Sequence, residues 1–419
     1  MVELLADLQA RGLIHDTTDR DALARRLDEG PVTLYHGMDP SADSLHTGNL
    51  IGLTVLKRFQ LAGHHPIALV GGATGMVGDP GGRSEERNLL DEDTLRSNLA
   101  AIKEQVGRVL GTEGEWELVD NYDWTRDVPL LAFLRDVGKH VTVNQMLARE
   151  SVKARIESEH GISYTEFSYM LLQAFDYWWL NEHKGCELQV GGSDQWGNIL
   201  SGVDLIRRRS SRGVHALSWP LLTATDGTKL GKTTGARTWL DAGKTTPHEL
   251  FQHYLNTDDR QVRQLLAWFT FLPIEEIDEL VRRHEAAPQH REAQRVLARE
   301  VVTIVHGAEE AVAAEQGMQA WSAGLDAASL KALEGTLPTT TLGDGDLPLR
   351  LVDLVVRTEL AASKSAALRL VRQGGAYVND ERVGDEDRLV DVGEFVDGRW
   401  LLLRAGKRQQ HLVIRSVPG

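Results

Sequence analysis

Apolar positions along the first 70 residues change period three times. Residues 3–29 repeat leucine and alanine at helical spacing and stop at Gly30-Pro31, which predicts one or two amphipathic helices. Val32-Thr33-Leu34 is a short strand-like run. A loop dense in small and polar residues follows from Tyr35 to Asn49, and a helical pattern then runs from Leu50 to about Leu61. Gly63 and Pro66 close that helix, and Ile67-Ala68-Leu69-Val70 begins a second strand that opens into a glycine-rich stretch over 71–87. Strand, helix and strand in succession form a crossover unit. The predicted fold class is therefore α/β, built on a parallel sheet of the doubly wound type.

Further along, the pattern predicts a helix over 91–110, a strand near 116–120 running into Asn121-Tyr122-Asp123-Trp124, helices near 130–137 and 144–159, and a strong helix over 165–180. Another strand, 187–190, enters Gly191-Gly192-Ser193-Asp194-Gln195-Trp196-Gly197-Asn198 and a helix that continues to Arg209. From Pro247 to about Leu333 the period is wholly helical. Residues 335–348 are mostly Thr, Gly, Asp and Pro, the composition of a flexible linker. Two helices, 351–360 and 363–373, then precede a glycine turn and short strands. The expected division is 1–245 (α/β), 246–334 (all-helical), 335–348 (linker) and 349–419 (a small α+β module).

At 419 residues two or three domains are expected, and 42% hydrophobic with 26% charged residues excludes wholesale disorder. The formal charge of −15 is unlike that of a nucleic-acid binder. Residues 350–419, however, carry 12 Lys and Arg against 10 Asp and Glu, so the acidity lies upstream. Lys364, Arg369 and Arg372 on or near the second helix of that module favour RNA binding over a purely packing role. The single cysteine, Cys186, excludes an intramolecular disulfide and a multi-cysteine zinc cluster, and its strand-like neighbours predict a buried thiol. No apolar run reaches the ~18 residues of a membrane span. The N-terminus lacks a basic segment followed by an apolar core, so a cytoplasmic location is expected.

The chemistry gathers where strands meet helices. The Tyr35–Asn49 stretch leads into a helix start, where free backbone N–H groups and the dipole favour an anion, and His46 can donate to phosphate oxygens. Three glycine-rich loops follow strands. Lys229 and Lys232 form a cationic hairpin, with Arg83 and Arg87 near the second glycine loop. Arg207, Arg208, Arg209 and Arg212 cluster at a helix C-terminus, where they complement the dipole or bind phosphate. Tyr169, Gln173 and Asp176 stand at i, i+4 and i+7, one polar face in a strongly apolar helix and the expected wall of a pocket. Asp39, Asp79, Asp176 and Asp194 are spread among these elements. The set suits a triphosphate held by cations and backbone beside an amine-bearing ligand held by carboxylates. Neither a Ser/His/Asp arrangement, nor a glycosidase carboxylate pair, nor a Walker loop is present.

In these motifs the chain resembles the bacterial tyrosyl-tRNA synthetases, class I aminoacyl-tRNA synthetases. His46-Thr47-Gly48-Asn49 matches the HIGH motif with Asn in place of the final His, and Lys229-Leu230-Gly231-Lys232-Thr233 matches the KMSKS motif. Gly71-Gly72-Ala73-Thr74-Gly75, Tyr164-Thr165-Glu166-Phe167-Ser168-Tyr169, Gln173-Ala174-Phe175-Asp176 and Gly191 to Asn198 follow in family order. The resemblance implies a Rossmann-like catalytic domain, a helical anticodon-arm domain and an RNA-binding module similar to one found in a ribosomal small-subunit protein and pseudouridine synthases. It further implies L-tyrosine, ATP with Mg2+, and tRNA(Tyr) as ligands of a homodimer that one tRNA spans.

The implied roles are specific. Tyr35 and Asp176 bracket the substrate hydroxyl, Asp79, Tyr169 and Gln173 hold its amino group, Gln195 lies near its carboxylate, and Asp39 flanks the substrate and adenine side. His46, Gly48 and Asn49 meet ATP phosphates, while Gly192 and Asp194 meet the ribose. Lys229, Lys232, Arg83 and Arg87 grip the leaving pyrophosphate, and Lys232 also contacts ATP. Arg207, Arg208, Lys364, Arg369 and Arg372 are tRNA-binding candidates. A tryptophanyl-tRNA synthetase is the alternative within the superfamily, opposed by the Tyr35/Asp176 pair. A non-catalytic RNA-binding protein on the same scaffold is opposed by the intact His46 and Lys229/Lys232 motifs.

Overall fold

The computed structural model describes residues 3–79, 91–156, 161–222, 237–323, 327–335, 337–406 and 409–416. They form two compact units, Met1–Asp241 with Asp258–Pro288, and Ala242–Thr257 with Gln289–Gly419.

The first unit holds a six-stranded sheet of β1 (Asp16–Thr17), β2 (Thr33–Met38), β3 (His65–Val70), β4 (Glu117–Asp120), β5 (Cys186–Gly192) and β6 (His215–Trp219), in the order β1-β6-β5-β2-β3-β4. β1 is antiparallel to β6, and every other pairing is parallel. The doubly wound sheet expected from the strand–helix–strand pattern is therefore present. The helix Thr47–Leu61 between β2 and β3 is buried continuously from Leu50 to Gln60. Its polar side chains take backbone carbonyls: Thr54 Oγ1 donates to Trp268 O at 3.0 Å, Lys57 Nζ to Leu110 O at 2.7 Å and Arg58 Nη2 to Ala267 O at 3.1 Å. Each of these three donor atoms thus has an acceptor, which removes most of the cost of desolvating it, while Arg58 Nε is buried without one among the described residues.

These bonds also correct the expected division. Residues 258–288, assigned to the helical domain 246–334, pack in the first unit, because Trp268 is 1% exposed and donates from Nε1 to Arg11 O at 2.9 Å. Helical period alone does not reveal which core a helix joins.

The second unit combines the helices Pro247–Leu255, Glu292–His306, Ala308–Ala323 and Ala327–Ala332 with a five-stranded sheet. That sheet holds β7 (Thr339–Leu342), β9 (Ala376–Val378), β10 (Glu381–Val383), β12 (Trp400–Ala405) and β13 (Gln409–Arg415), in the order β10-β9-β12-β13-β7; β8 (Leu349–Arg350) and β11 (Leu389–Val390) pair separately. Alternation along β12 serves both faces of the sheet. Leu401 and Leu403 pack with Leu354, Val355, Ala367 and Val371 of the helices Leu351–Arg357 and Lys364–Arg372, while Trp400 and Leu402 pack with Leu330, Leu333 and Leu337. Residues 335–348, expected to be a linker, contribute β7, which pairs in parallel with Leu412–Arg415 of β13. The Thr339-Thr340-Thr341 run is β-branched as well as polar, and here it serves as strand.

Candidate active site

From β2 the chain steps to β3 and β4 in one direction, and from β5 to β6 in the other. The crevice at the carboxyl ends of β2 and β5 is where such sheets take ligands. Tyr35 lies in β2 in register with Ile67 of β3 and Gln189 of β5, and is 1% exposed. Its hydroxyl is buried without a hydrogen-bond partner among the described residues. Burial, then the charge of Asp176, pushes its pKa well above the ordinary value.

Asp176 comes from the helix Tyr164–Lys184, which starts at the Ser163 N-cap and ends at Gly185 in the left-handed conformation (φ 64°). Its carboxylate is 3% exposed and accepts two hydrogen bonds, from Asn121 Nδ2 at 2.9 Å and Trp124 Nε1 at 2.9 Å. Burial pushes the Asp176 pKa up to about 7; the two donors oppose that rise, and Asp39 and Asp120 add to it. The network continues outward. Asn121 Nδ2 also donates to Thr74 Oγ1 at 3.0 Å, Thr74 Oγ1 donates to Asp39 Oδ1 at 2.9 Å, and the Tyr169 hydroxyl donates to Asp39 Oδ2 at 3.1 Å. Gly71 and Gly72 let the loop pass over these groups. A Cβ at Gly71 would stand 2.4 Å from Asp39 Oδ1, and one at Gly72 would stand 2.3 Å from Asp120 Oδ1.

Asp79, 8% exposed, accepts from Gln195 Nε2 at 2.6 Å, and Gln195 Oε1 accepts from Asn198 Nδ2 at 3.1 Å. Gln173 Oε1 is buried without a partner among the described residues. Gly192 ends β5, and Asp194 follows in the turn Ser193–Gln195; a Cβ at Gly192 would meet Asp194 Oδ1 at 3.0 Å.

His46 is the N-cap of the helix Thr47–Leu61. Its Nδ1 accepts the Gly48 N–H at 3.0 Å, so the neutral ring carries its proton on Nε2 and presents a donor there. Burial, then the Arg237 charge, lowers its pKa and favours the neutral form. Asn49 Oδ1 accepts the His46 N–H at 3.1 Å and closes a reciprocal cap. The residue that departs from the HIGH pattern thus supplies an oxygen acceptor to the helix start. Two more elements fix the segment. Leu45 N–H donates to Gln105 Oε1 at 2.9 Å, and residues 45–47 pair with 238–240 through Thr47 N–H to Thr238 O at 3.1 Å and Leu240 N–H to Leu45 O at 2.8 Å.

Among the remaining sequence candidates, Arg83, Arg87, Lys229 and Lys232 lie outside the described residues. Arg207 pairs with Asp204 at 2.7 Å and Arg208 donates to His140 O, at the end of the helix Trp196–Ser210 opposite the crevice. In the second unit Lys364 pairs with Asp353 at 2.7 Å and Arg372 pairs with Glu386, while Arg369 is exposed. Asn121, Trp124, Thr74 and Gln105 were not singled out from the sequence. Asn121 and Trp124 follow β4 at its carboxyl end, and that position was the available signal.

The switch-point crevice of the parallel sheet, the capped His46 and the buried Asp176 carboxylate fit the class I tRNA synthetases that the motifs resemble. Residues 27–321 match the family model for tRNA synthetases class I (W and Y), and residues 329–413 match the tyrosine–tRNA ligase SYY-like C-terminal domain. The tyrosine–tRNA ligase of Opitutus terrae is 51% identical over 420 residues, 98% of this chain and 99% of that protein. That of Geobacillus stearothermophilus is 46% identical over 421 residues, with coverage of 98% and 99%. The crystal structure of a C-terminally truncated mitochondrial tyrosyl-tRNA synthetase of Aspergillus nidulans is 34% identical, has a TM-score of 0.70, and covers 76% of this chain and 94% of its own. The chain belongs to the tyrosine–tRNA ligase family.

Proposed function

We infer that the protein activates L-tyrosine with ATP and transfers it to the 3′ end of tRNA(Tyr). In the first step a carboxylate oxygen of tyrosine attacks the α-phosphorus of ATP and pyrophosphate leaves. In the second a ribose hydroxyl of the tRNA attacks the acyl carbon and AMP leaves. The nucleophile of the first step is already an anion, so the protein's task is positioning and charge stabilisation rather than general base catalysis. The observation that carries the tyrosine assignment is the buried Asp176 carboxylate, held by two N–H donors, in the same core as the unpartnered Tyr35 hydroxyl. A substrate phenol gives the Tyr35 hydroxyl a partner and Asp176 a further donor, whereas an apolar ring leaves the Tyr35 hydroxyl unpaired.

Asp79, Gln173 and Tyr169 are assigned to the substrate amino group, Gln195 to the carboxylate side, and Asp39 to ordering Tyr169 and Thr74. His46 Nε2 is assigned to ATP phosphates, with Gly48 and Asn49 beside it on the motif resemblance and their N–H groups taken by His46 itself, and Gly192 with Asp194 are assigned to the ribose. Arg83, Arg87, Lys229 and Lys232 are assigned to pyrophosphate on the motif resemblance. ATP enters as its Mg2+ complex. The ion is assigned to the phosphate oxygens and water, as Mg2+ keeps much of its water shell and binds substrate phosphates.

The helical residues of 246–334 and the module 349–419 are assigned to tRNA, with Arg369 exposed and Arg207, Arg208, Lys364 and Arg372 available on exchange of their present partners. A homodimer is supported by large exposed apolar side chains between 130 and 164: Leu130 at 71%, Leu131 at 79%, Val143 at 59% and Tyr164 at 73%. Among the described residues no helix is long and apolar enough to cross a membrane; the cytoplasm is assigned because the substrates are there. ATP–pyrophosphate exchange with each amino acid tests the reading. Tyrosine-dependent exchange is expected, and exchange with tryptophan but not tyrosine would overturn it.

A further inference from the structure

Asp176 receives both its N–H donors from one short span. Asn121 follows β4, and Trp124 lies in the helix Tyr122–Thr125, a single turn of four residues. One turn does not hold itself in water, because fixing its backbone gains too few hydrogen bonds. The placement of the Trp124 indole therefore depends on what packs against it. Its face is covered by Trp179, with ring centroids 4.3 Å apart and planes 9° from parallel. The far side of Trp179 is covered in turn by the His183 ring, at 4.3 Å and 17°, and His183 Nδ1 lies 2.9 Å from Trp179 O.

Trp179 sits three residues beyond Asp176 on the same helix. Its neighbour Trp178 is held separately, by Ser210 Oγ at 3.2 Å and by the Arg209 guanidinium 3.6 Å over its ring. A parallel stack holds the plane of the inner ring, and the attachment of that ring at Trp124 Cβ then sets where its N–H points.

We propose that Trp179 is a positioning residue for tyrosine selection: its stack with Trp124 aims the indole N–H that orders the Asp176 carboxylate. This rests on the reading that Asp176 accepts the substrate hydroxyl. Loss of the stack loosens one of two donors on a carboxylate that is otherwise buried, so the ionised form loses support. The groups facing Asp176 reinforce that direction: Asp39 and Asp120 repel its charge, and Tyr35 is an uncharged phenol.

Trp179→Ala, the bulkier but unstacked Trp179→Leu and the stacking Trp179→Phe are compared by pyrophosphate exchange across pH. Far-ultraviolet circular dichroism selects the variants that fold. In Ala or Leu the KM for tyrosine is expected to rise about three- to tenfold, the range that loss of an aromatic pair predicts. The acid limb of kcat/KM for tyrosine should move to higher pH, the KM for ATP should stay unchanged, and Phe should restore most of the loss. An unchanged tyrosine KM and acid limb in a folded Ala or Leu variant overturns the proposal. Asp176→Asn is run beside them. If it leaves tyrosine selection intact, the underlying reading fails; if it is defective while Trp179→Leu is normal, only the role of Trp179 fails.

Discussion

Asn121 holds Asp176 and Thr74 with one amide nitrogen, at 2.9 Å to the carboxylate and 3.0 Å to the hydroxyl. It therefore joins the carboxylate assigned to the substrate hydroxyl to Asp39 and Tyr169 on the amino-group side. Asn121→Ala should raise the KM for tyrosine about tenfold or more, the cost of one hydrogen bond to a charged group, and leave the KM for ATP near its starting value. Exchange kinetics with each substrate varied in turn check this.

The Asp176 pKa of about 7 has a stability consequence whose sign is fixed. Its folded value lies above the ordinary 3.8, so its contribution is fully present at low pH and is lost as pH rises through about 7. The span corresponds to about 4 kcal/mol at most. In the substrate-free protein, the melting temperature of Asp176→Asn relative to the unsubstituted chain should climb between pH 5 and pH 8. Tyrosine binding should show the opposite trend in the unsubstituted chain and weaken as pH falls below about 7.

His46 and Asn49 separate two roles. Asn49→Ala removes the acceptor for the His46 N–H and should cost about 1 kcal/mol of stability, as other helix caps do. Asn49→Asp keeps an acceptor but adds negative charge beside the phosphate position, so it should spare stability and raise the KM for ATP. His46→Asn keeps a capping side chain without the Nε2 donor and should lower kcat about 10²-fold, as loss of one transition-state donor does. Thermal melts together with exchange kinetics distinguish these outcomes.

Gly52 and His36 share one space. A Cβ at Gly52 would fall 2.3 Å from His36 Nε2, and that ring is fixed by Nδ1 against Val190 O at 3.2 Å and by the edge of Trp219. Burial pushes the His36 pKa down to about 4, so the ring is a neutral filler throughout the working range. Gly52→Ala should cost about 1–3 kcal/mol from overpacking, and His36→Ala in the same chain should recover part of it. A double-mutant cycle by urea unfolding measures the coupling.

Much of this was readable in the chain before its fold. The crossover order and the Tyr169/Gln173/Asp176 face follow from local period and spacing, whereas the helix expected from Leu50 begins at Thr47 with His46 as its N-cap. Asn121 and Trp124 did not stand out because their importance is set by Asp176, 55 and 52 residues away in sequence. The strand Thr339–Leu342 was misread for a different reason. Threonine is common both in linkers and in strands, and only pairing with Leu412–Arg415 decides between them. Limited proteolysis should find 339–342 resistant in the folded protein, and Leu342→Ala, at a fully buried position, should cost about 2–5 kcal/mol.

The two units exchange segments along the chain: 242–257 belongs with the later residues, and 258–288 with the earlier ones. No single cut can separate them. On the ribosome, a nascent chain ending at 241 already carries every strand of the first sheet, yet it lacks the carbonyls of Ala267 and Trp268 that receive Arg58 and Thr54. The helix capped by His46 therefore has these buried donors satisfied only once residues 267 and 268 have emerged, so the hydrogen bonding beneath the crevice is completed by residues made after the sheet that frames it.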